Sequence, residues 1–360
     1  MNALTPSTRL LIVANRLPVS VATTGDSVTI SRSSGGLVTG LKPWHDRGSS
    51  VWIGWPGDCA DLTEDRRRDL DRQLAAERYV PVHLTSDEVE RFYHGFANRV
   101  LWPLFHYQVD RVPVDASDWD AYRAANERFA EAVWREYRSG DTIWVHDYQL
   151  MLVPGLLRER LPDARIGFFL HIPFPSSEVF RVLPWRRQIL EGLLGADLIG
   201  FHTFAYMRHF VSSLLHVDGV EADVDRVHLP GRDVRLGAFP MGIDTKAFES
   251  PENASGVSAE LEAIRAELGD RRLILGIDRL DYTKGIPRRL QVIERMLSRD
   301  PHLADTIRCV QLAVPSRGAV DSYQAFKRQV EEQVGRINGA FGSSRSVPVH
   351  YMYKSIPPHE

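Results

Sequence analysis

Residues able to hold an anion recur at one kind of place in this sequence, the end of an apolar run. In L-I-L-G-I-D-R-L-D-Y-T-K-G-I-P (273–287) a buried-strand pattern breaks into a turn carrying Arg279, Asp281 and Lys284. It restarts as a helix behind Gly285, with Pro287 in its first turn. Backbone N–H groups, a helix dipole and two cations aimed at one point would cradle a phosphate. The plainer alternative is a βα loop whose Arg and Lys sit in water. Arg16 leaves the run L-L-I-V-A in A-N-R-L-P, ahead of the loop S-R-S-S-G-G-L-V-T-G, where Gly35 and Gly36 let backbone approach a ligand closely. Arg317, in A-V-P-S-R-G-A-V, is a further strand-end cation.

Histidines and acids follow the same rule. His146 and Asp147 end T-I-W-V-H-D-Y, His171 ends I-G-F-F-L-H-I-P-F-P, and His202 ends L-I-G-F-H. A Zn or Fe site is conceivable, but no H-x-x-x-H or H-x-H spacing occurs, and His146 can equally be a core residue satisfied by backbone. Two D-x-D triplets, Asp118–Asp120 and Asp223–Asp225, could bind a divalent ion on a nucleotide diphosphate. The first opens a helix, where acids suit the dipole, and the second lies in a polar loop, so both read as structural. Phe92–Tyr107 is dense in aromatics, including Tyr93 and Trp102. Such a run is a buried stripe or a surface that stacks on sugar faces. There is no G-x-G-x-x-G, G-x-S-x-G or G-x-x-x-x-G-K-[ST], which disfavours a nicotinamide site, an α/β-hydrolase and a P-loop NTPase.

The elements that must position these residues alternate almost throughout. Strands are expected at 10–14, 51–54, 142–146, 166–172, 198–201, 234–239, 273–277, 307–314 and 347–351. Helical patterns fall at 64–78, 119–137, 150–160, 186–194, 205–215, 259–268, 288–298 and 320–337. Several strands are apolar at consecutive positions, as in a sheet covered on both faces, so the class is α/β, doubly wound. Turn formers mark a boundary at 246–258, dividing a domain at 1–245 from one at 258–360. Only three strand patterns follow residue 273, so the second domain reads as incomplete.

At 360 residues the chain has room for two cores. A net charge of −3 gives no support to a nucleic-acid binder. Cys59 and Cys309 are far apart, and Cys309 sits in an apolar strand, which predicts a buried thiol rather than a disulfide. No apolar run reaches the roughly 18 residues of a membrane span, and no signal-peptide layout precedes the first strand. A cytoplasmic protein without a membrane partner is expected.

Taken together, A-N-R-L-P, S-G-G-L, F-A-N-R-V-L-W-P-L-F-H-Y, W-V-H-D-Y-Q-L, G-F-F-L-H-I-P-F-P, L-I-G-F-H-T, D-R-L-D-Y-T-K-G, P-S-R-G and G-R-I-N-G resemble trehalose-6-phosphate synthases. These are retaining glycosyltransferases of the GT-B type, with two Rossmann-like domains facing a cleft. The resemblance covers nearly the whole chain. It implies transfer of glucose from a nucleotide-glucose, most often UDP-glucose, to glucose 6-phosphate, giving α,α-trehalose 6-phosphate without a metal or other cofactor. It also implies that Arg279 and Lys284 hold the donor diphosphate, with Gly35 and Gly36 closing over it. Arg16, Tyr93 and Arg317 resemble the acceptor-phosphate clamp, and Trp102 the residue shaping that subsite. Asp147 resembles an acceptor-sugar contact, His171 a contact to the transferring glucose, and Ile356 a backbone contact to the nucleobase. A homo-oligomer is compatible with it.

Alternatives remain open at this point: transferases using ADP- or GDP-glucose or a cyclitol acceptor, a sugar-phosphate-binding regulatory module, and a metal-dependent hydrolase using His146, Asp147 and His171. The family's acidic loop D-G-M-N-L-V-x-K-E and its closing helix are not in these 360 residues. The chain assayed alone is therefore expected to turn over poorly beside a C-terminally extended form. Equal rates for the two would refute this.

Overall fold

The computed structural model describes residues 9–24, 27–33, 35–57, 59, 62–113, 115–243, 245–249, 257–315, 321–344, 346–357 and 360. The chain divides into two compact units, Met1–Gly242 and Ile243–Glu360. Residues 246–249 of the expected boundary form a short helix and count with the second unit.

In the first unit, a nine-stranded sheet has the order β4-β3-β1-β5-β6-β7-β9-β8, with β2 paired to β1. Its strands are β1 (Leu10–Thr24), β2 (Ser27–Arg32), β3 (Val51–Gly57), β4 (Tyr79–Pro81), β5 (Thr142–His146), β6 (Arg165–Phe169), β7 (Leu198–Phe201), β8 (Arg226–Leu229) and β9 (Arg232–Ala238). All pairings from β4 to β9 are parallel, and only β2 and β8 pair antiparallel. Leu11, Ile12, Val13 and Ala14 are all fully buried, because helices cover both faces of the sheet. Those helices include α1 (Gly36–Arg47), α2 (Glu64–Ala76), α3 (Ala116–Glu136), α4 (Val153–Arg160), α5 (Arg186–Leu194) and α6 (Phe204–Asp218).

β1 runs ten residues past its expected end. Beyond Ala14 it shifts register against β3 and then forms a hairpin with β2, from Val19↔Arg32 to Thr24↔Ser27. α1 is a helix where a glycine-bearing loop was expected; its two glycines and Pro43 weaken the local signal. The aromatic run is also helical. Val89–Leu101 forms a wide π-type helix that continues into Trp102–Phe105.

The second unit holds a parallel sheet β10-β11-β12: β10 (Arg272–Arg279), β11 (Ile307–Val314) and β12 (Val349–Met352). These are the three strands that the sequence pattern anticipates. With α7 (Val257–Leu268), α8 (Ile286–Arg299) and α9 (Asp321–Phe341) the unit is α/β as well. α8 and α9 cover one face through Ile286, Leu290, Ile293, Phe326, Val330 and Ile337. On β10, Leu273, Leu275 and Ile277 are 42%, 57% and 57% exposed. Cys309 is buried in β11, and Cys59 is buried in the first unit.

One close approach governs how β1 leaves the sheet. Val13 pairs with Ile53 and Arg16 with Trp55, so β1 carries one extra residue there, a bulge that turns the following side chains. Gly54 makes room for it. A Cβ at Gly54 would lie 2.8 Å from Arg16 C, 2.8 Å from Leu17 N and 2.9 Å from Ala14 O, all backbone atoms that cannot swing aside. Gly54→Ala is therefore expected to destabilise the fold by about 1–3 kcal/mol, read as a lowered urea midpoint. An unchanged midpoint would contradict this packing.

Candidate functional site

The register of the first unit sets out a row. Val13, Val145, Phe168 and Ile199 are lateral neighbours on β1, β5, β6 and β7. Arg16, Asp147, His171 and His202 follow two or three residues later at the C-terminal edge, where open α/β sheets place ligands.

Arg16 is exposed but oriented. Its guanidinium lies 4.4 Å from the Trp55 ring centroid and 5.4 Å from that of Tyr93, and Trp52 Nε1 donates to its carbonyl at 3.1 Å. Cation–π attraction to the two rings orders the guanidinium and leaves its N–H groups to grip an anion. Tyr93 comes from the π-type helix, whose width is marked by the Trp102 N–H donating to Ala97 O five residues back, and Asn98 Nδ2 donates to Tyr93 O at 2.6 Å.

Asp147 has φ 74° and ψ 169°, a conformation that costs a residue with a Cβ about 1–3 kcal/mol. The surroundings hold it there. Its N–H donates to Phe169 O at 2.8 Å, and its Oδ1 accepts from His171 N at 3.1 Å. The chain after it is fastened by α3: Tyr122 Oη donates to Tyr148 O and accepts from Met151 N, at 2.8 and 3.1 Å. Asn126 donates to Gln149 O and accepts from Leu152 N, at 3.0 and 3.1 Å. Tyr148 Oη in turn donates to Asn98 Oδ1 at 2.8 Å, linking this loop to the π-type helix. Trp102 is buried against Tyr148 and His106, with ring centroids 5.7 and 4.2 Å away.

His146, fully buried, lies with Nδ1 3.0 Å from Nε2 of His171, whose ring packs against Phe169 and His202. Burial first, and then neighbouring imidazoles, disfavours charge on His146 and His171; His171 is pushed down to about 3. Both rings are thus neutral at pH 7 and act as hydrogen-bonding groups. They bond each other rather than converge on one point, and among the described residues no group of three His, Cys, Asp or Glu side chains is placed to hold a metal ion. The D-x-D acids are also engaged in the fold: Asp118 is in the first turn of α3, and Asp223 accepts from His228.

In the second unit Arg279 ends β10, and the chain turns over Asp281. Asp281 is fully buried, its Oδ1 accepting from Thr283 N and Oγ1 at 3.0 and 2.8 Å and its Oδ2 from Tyr323 Oη at 3.0 Å. Gly285, at φ 68°, makes the left-handed step that starts α8. Arg289 is engaged by Asp278 and Gln311, at 2.8 and 2.6 Å, while Arg279 and Lys284 stay exposed. Gly35 and Gly36 open α1 in the first unit, with no atom within 4 Å of where a Cβ would sit. Ile356 borders a cavity of about 300 Å³ with Leu273, Ile277, Leu312 and Met352. Arg317 lies outside the described residues.

Residues 8–360 match the model of glycosyltransferase family 20. The chain belongs to that family. It is 43% identical over 357 residues to the UDP-forming α,α-trehalose-phosphate synthase A of Dictyostelium discoideum, covering 98% of this chain and 48% of that protein. Among solved structures, the UDP-forming synthase from Burkholderia xenovorans in complex with glucose-6-phosphate superposes with TM-score 0.84 at 30% identity, over 98% of this chain and 75% of that one. The N-terminal domain of Candida albicans trehalose-6-phosphate phosphatase does so with TM-score 0.86 at 32% identity, over 100% and 75%. The chain thus spans about half the length of the Dictyostelium relative. The family 20 chain has the GT-B type of α/β fold, its second Rossmann-like unit incomplete among the described residues.

Trp55, Tyr122, Asn126 and Asn98 were not singled out from the sequence. Asn126 stands four residues after Tyr122 on the apolar face of an otherwise charged helix, and that polar break in a buried stripe is the signal that marks this pair.

His171 also makes a pH prediction. Its folded-state pKa lies below the ordinary 6.5, so the unfolded chain binds the extra proton between about pH 6.5 and 3. Stability is then fully present above 6.5 and falls with acidification by about 1.4 kcal/mol per pH unit from this residue. His171→Gln should flatten the slope of urea-derived stability between pH 6.5 and 5. A parallel slope in wild type and variant would refute it.

Proposed function

We propose that this chain transfers glucose with retention from UDP-glucose to glucose 6-phosphate, forming α,α-trehalose 6-phosphate and UDP. The observation that carries the reading is Arg16, held over the Trp55 and Tyr93 rings so that its N–H donors are ordered for a phosphate dianion. The names of the relatives support the same reading: the Dictyostelium protein is a UDP-forming synthase, and the Burkholderia enzyme is bound to glucose-6-phosphate.

In this reading Arg16, Tyr93 and Arg317 hold the acceptor phosphate, Trp102 shapes that subsite and Asp147 orients the acceptor sugar. Arg279 and Lys284 hold the donor diphosphate with Gly35 and Gly36, His171 contacts the transferring glucose, and the backbone at Ile356 meets the nucleobase. Breaking the anomeric C–O bond moves negative charge onto the β-phosphate, where two preplaced cations stabilise the transition state more than the ground state. The acceptor hydroxyl attacks from the same face and gives its proton to the departing phosphate, so no protein nucleophile is required. Arg279 and Lys284 supply the neutralisation that a metal supplies elsewhere, and activity should survive a chelator. A cytoplasmic setting and a possible homo-oligomer belong to the same reading; among the described residues no helix is long and apolar enough to cross a membrane.

The likeness to a domain of a phosphatase favours one second reading, a sugar-phosphate-binding module without turnover. Incubating the protein and a C-terminally extended form with UDP-, ADP- and GDP-glucose and glucose 6-phosphate separates the two. Trehalose 6-phosphate made from UDP-glucose is the expected outcome; glucose 6-phosphate binding without product from either form favours the module. Lys284→Ala should remove a charge-assisted contact worth about 1.5–3 kcal/mol, weakening UDP roughly ten- to a hundredfold. Arg16→Ala should instead raise the glucose 6-phosphate requirement and leave UDP affinity unchanged. If both variants weaken only UDP, the assignment of the two phosphate sites is wrong.

A further inference from the structure

We propose that His146 is a positioning residue that sets the tautomer of His171: His146 donates from Nδ1 to His171 Nε2, and His171 therefore carries its own proton on Nδ1 and presents that N–H to a sugar hydroxyl. The presentation to a hydroxyl of the transferring glucose rests on the proposed function; the tautomer does not.

The geometry leaves two ways to share protons between the rings. His146 Nδ1 and His171 Nε2 are 3.0 Å apart, so one of the two nitrogens carries the hydrogen. His146 is fully buried at the end of β5, and its other nitrogen, Nε2, has no hydrogen-bond partner. Complete burial keeps this imidazole neutral, with one N–H only. If His171 were the donor, the proton of His146 would sit on Nε2, a buried N–H with no acceptor. A buried donor without an acceptor is rarer and costlier than a buried lone pair without a donor. The ring of Trp144, with its centroid 4.4 Å from that of His146, offers only a π face, a weaker partner than an imidazole nitrogen. The proton of His146 therefore belongs on Nδ1, and His171 Nε2 accepts it.

The rest of the site holds His171 for this role. Asp147 Oδ1 accepts from its backbone N–H at 3.1 Å, and the His202 side chain bonds its backbone. With the backbone pinned and Nε2 occupied, Nδ1 is the nitrogen left to meet a ligand. A neutral histidine whose one N–H is chosen by a buried partner is a fixed donor, the same device that orients histidines elsewhere through the bond made by the second nitrogen. In water a free histidine side chain favours the opposite form, with the proton on Nε2.

Long-range ¹H–¹⁵N spectra of the full chain labelled with ¹⁵N-histidine test it, with the His171 signals assigned by their loss in His171→Gln. The expected result at pH 7 is a neutral His171 protonated on Nδ1; a proton on its Nε2 overturns the proposal, and this arm needs no change at His146. In His146→Asn the side-chain amide nitrogen takes the place of Nδ1 and can still donate, so His171 should keep its form. In His146→Leu the donor is gone, and His171 should shift toward the Nε2–H form. A Leu variant that keeps the wild-type tautomer also overturns the proposal, since a purely structural role would leave the proton where it was. Adding UDP-glucose separates the two claims. A moving His171 signal supports the glucose contact, and a still one counts against that part of the proposed function while leaving the tautomer assignment to the spectra above.

Discussion

The strand-end row of the first unit depends on how the backbone from Tyr148 to Leu152 finds hydrogen-bond partners inside the protein. That segment is buried, and buried peptide groups left unpaired cost free energy comparable to a lost hydrogen bond. Tyr122 and Asn126, one turn apart on α3, satisfy it from the side, and Tyr148 returns a bond to Asn98. These bonds over-determine the loop, and so Asp147 can be kept at a φ that an isolated residue would leave. Its carboxylate is then available to the backbone of His171, which brings the ends of β5 and β6 into one arrangement.

A second consequence concerns charge. Arg16 is exposed, and a long exposed cation normally loses much of its binding energy in being ordered. Here the bulge opposite Gly54 directs the residue and two aromatic rings hold it, so the ordering cost is met when the protein folds. The turn from Arg279 to Gly285 is built on the same logic with different parts. A buried carboxylate, Asp281, takes three hydrogen bonds from Thr283 and Tyr323 and shapes the loop, while Arg289 is held by Asp278 and Gln311. In both units the groups that shape the backbone are hydrogen-bonded within the fold, and the cations are exposed on it.

Histidines in the row have the opposite character. Burial makes His146 and His171 neutral, so they contribute direction rather than charge. That division is in keeping with the proposed acceptor, a sugar phosphate, whose phosphate is sought by arginine and whose hydroxyls are sought by neutral donors and acceptors.

Much of this was legible in the residues. Consecutive apolar positions in β1, β5 and β6 dictate strands covered on both faces, and the cations and histidines that follow them are placed at strand ends by chain connectivity alone. The order of motifs carried the family. The sequence left out whatever depends on contacts between distant segments. α1 has weak helical propensity and forms because the fold around it covers its buried side, as at Leu41. The π-type helix, the bulge opposite Gly54 and the φ of Asp147 are paid for by partners from 5 to 50 residues away, such as Asn98 for Tyr93 and Tyr148 for Asn98. The pairing of His146 with His171 is of the same kind, 25 residues apart in sequence and 3.0 Å apart in space. The sequence by itself determined which residues stand at the strand ends, since period and connectivity are local. Only the tertiary structure decided which of them touch, are buried or carry a proton, because desolvation and hydrogen bonding belong to the packed neighbourhood and not to the chain.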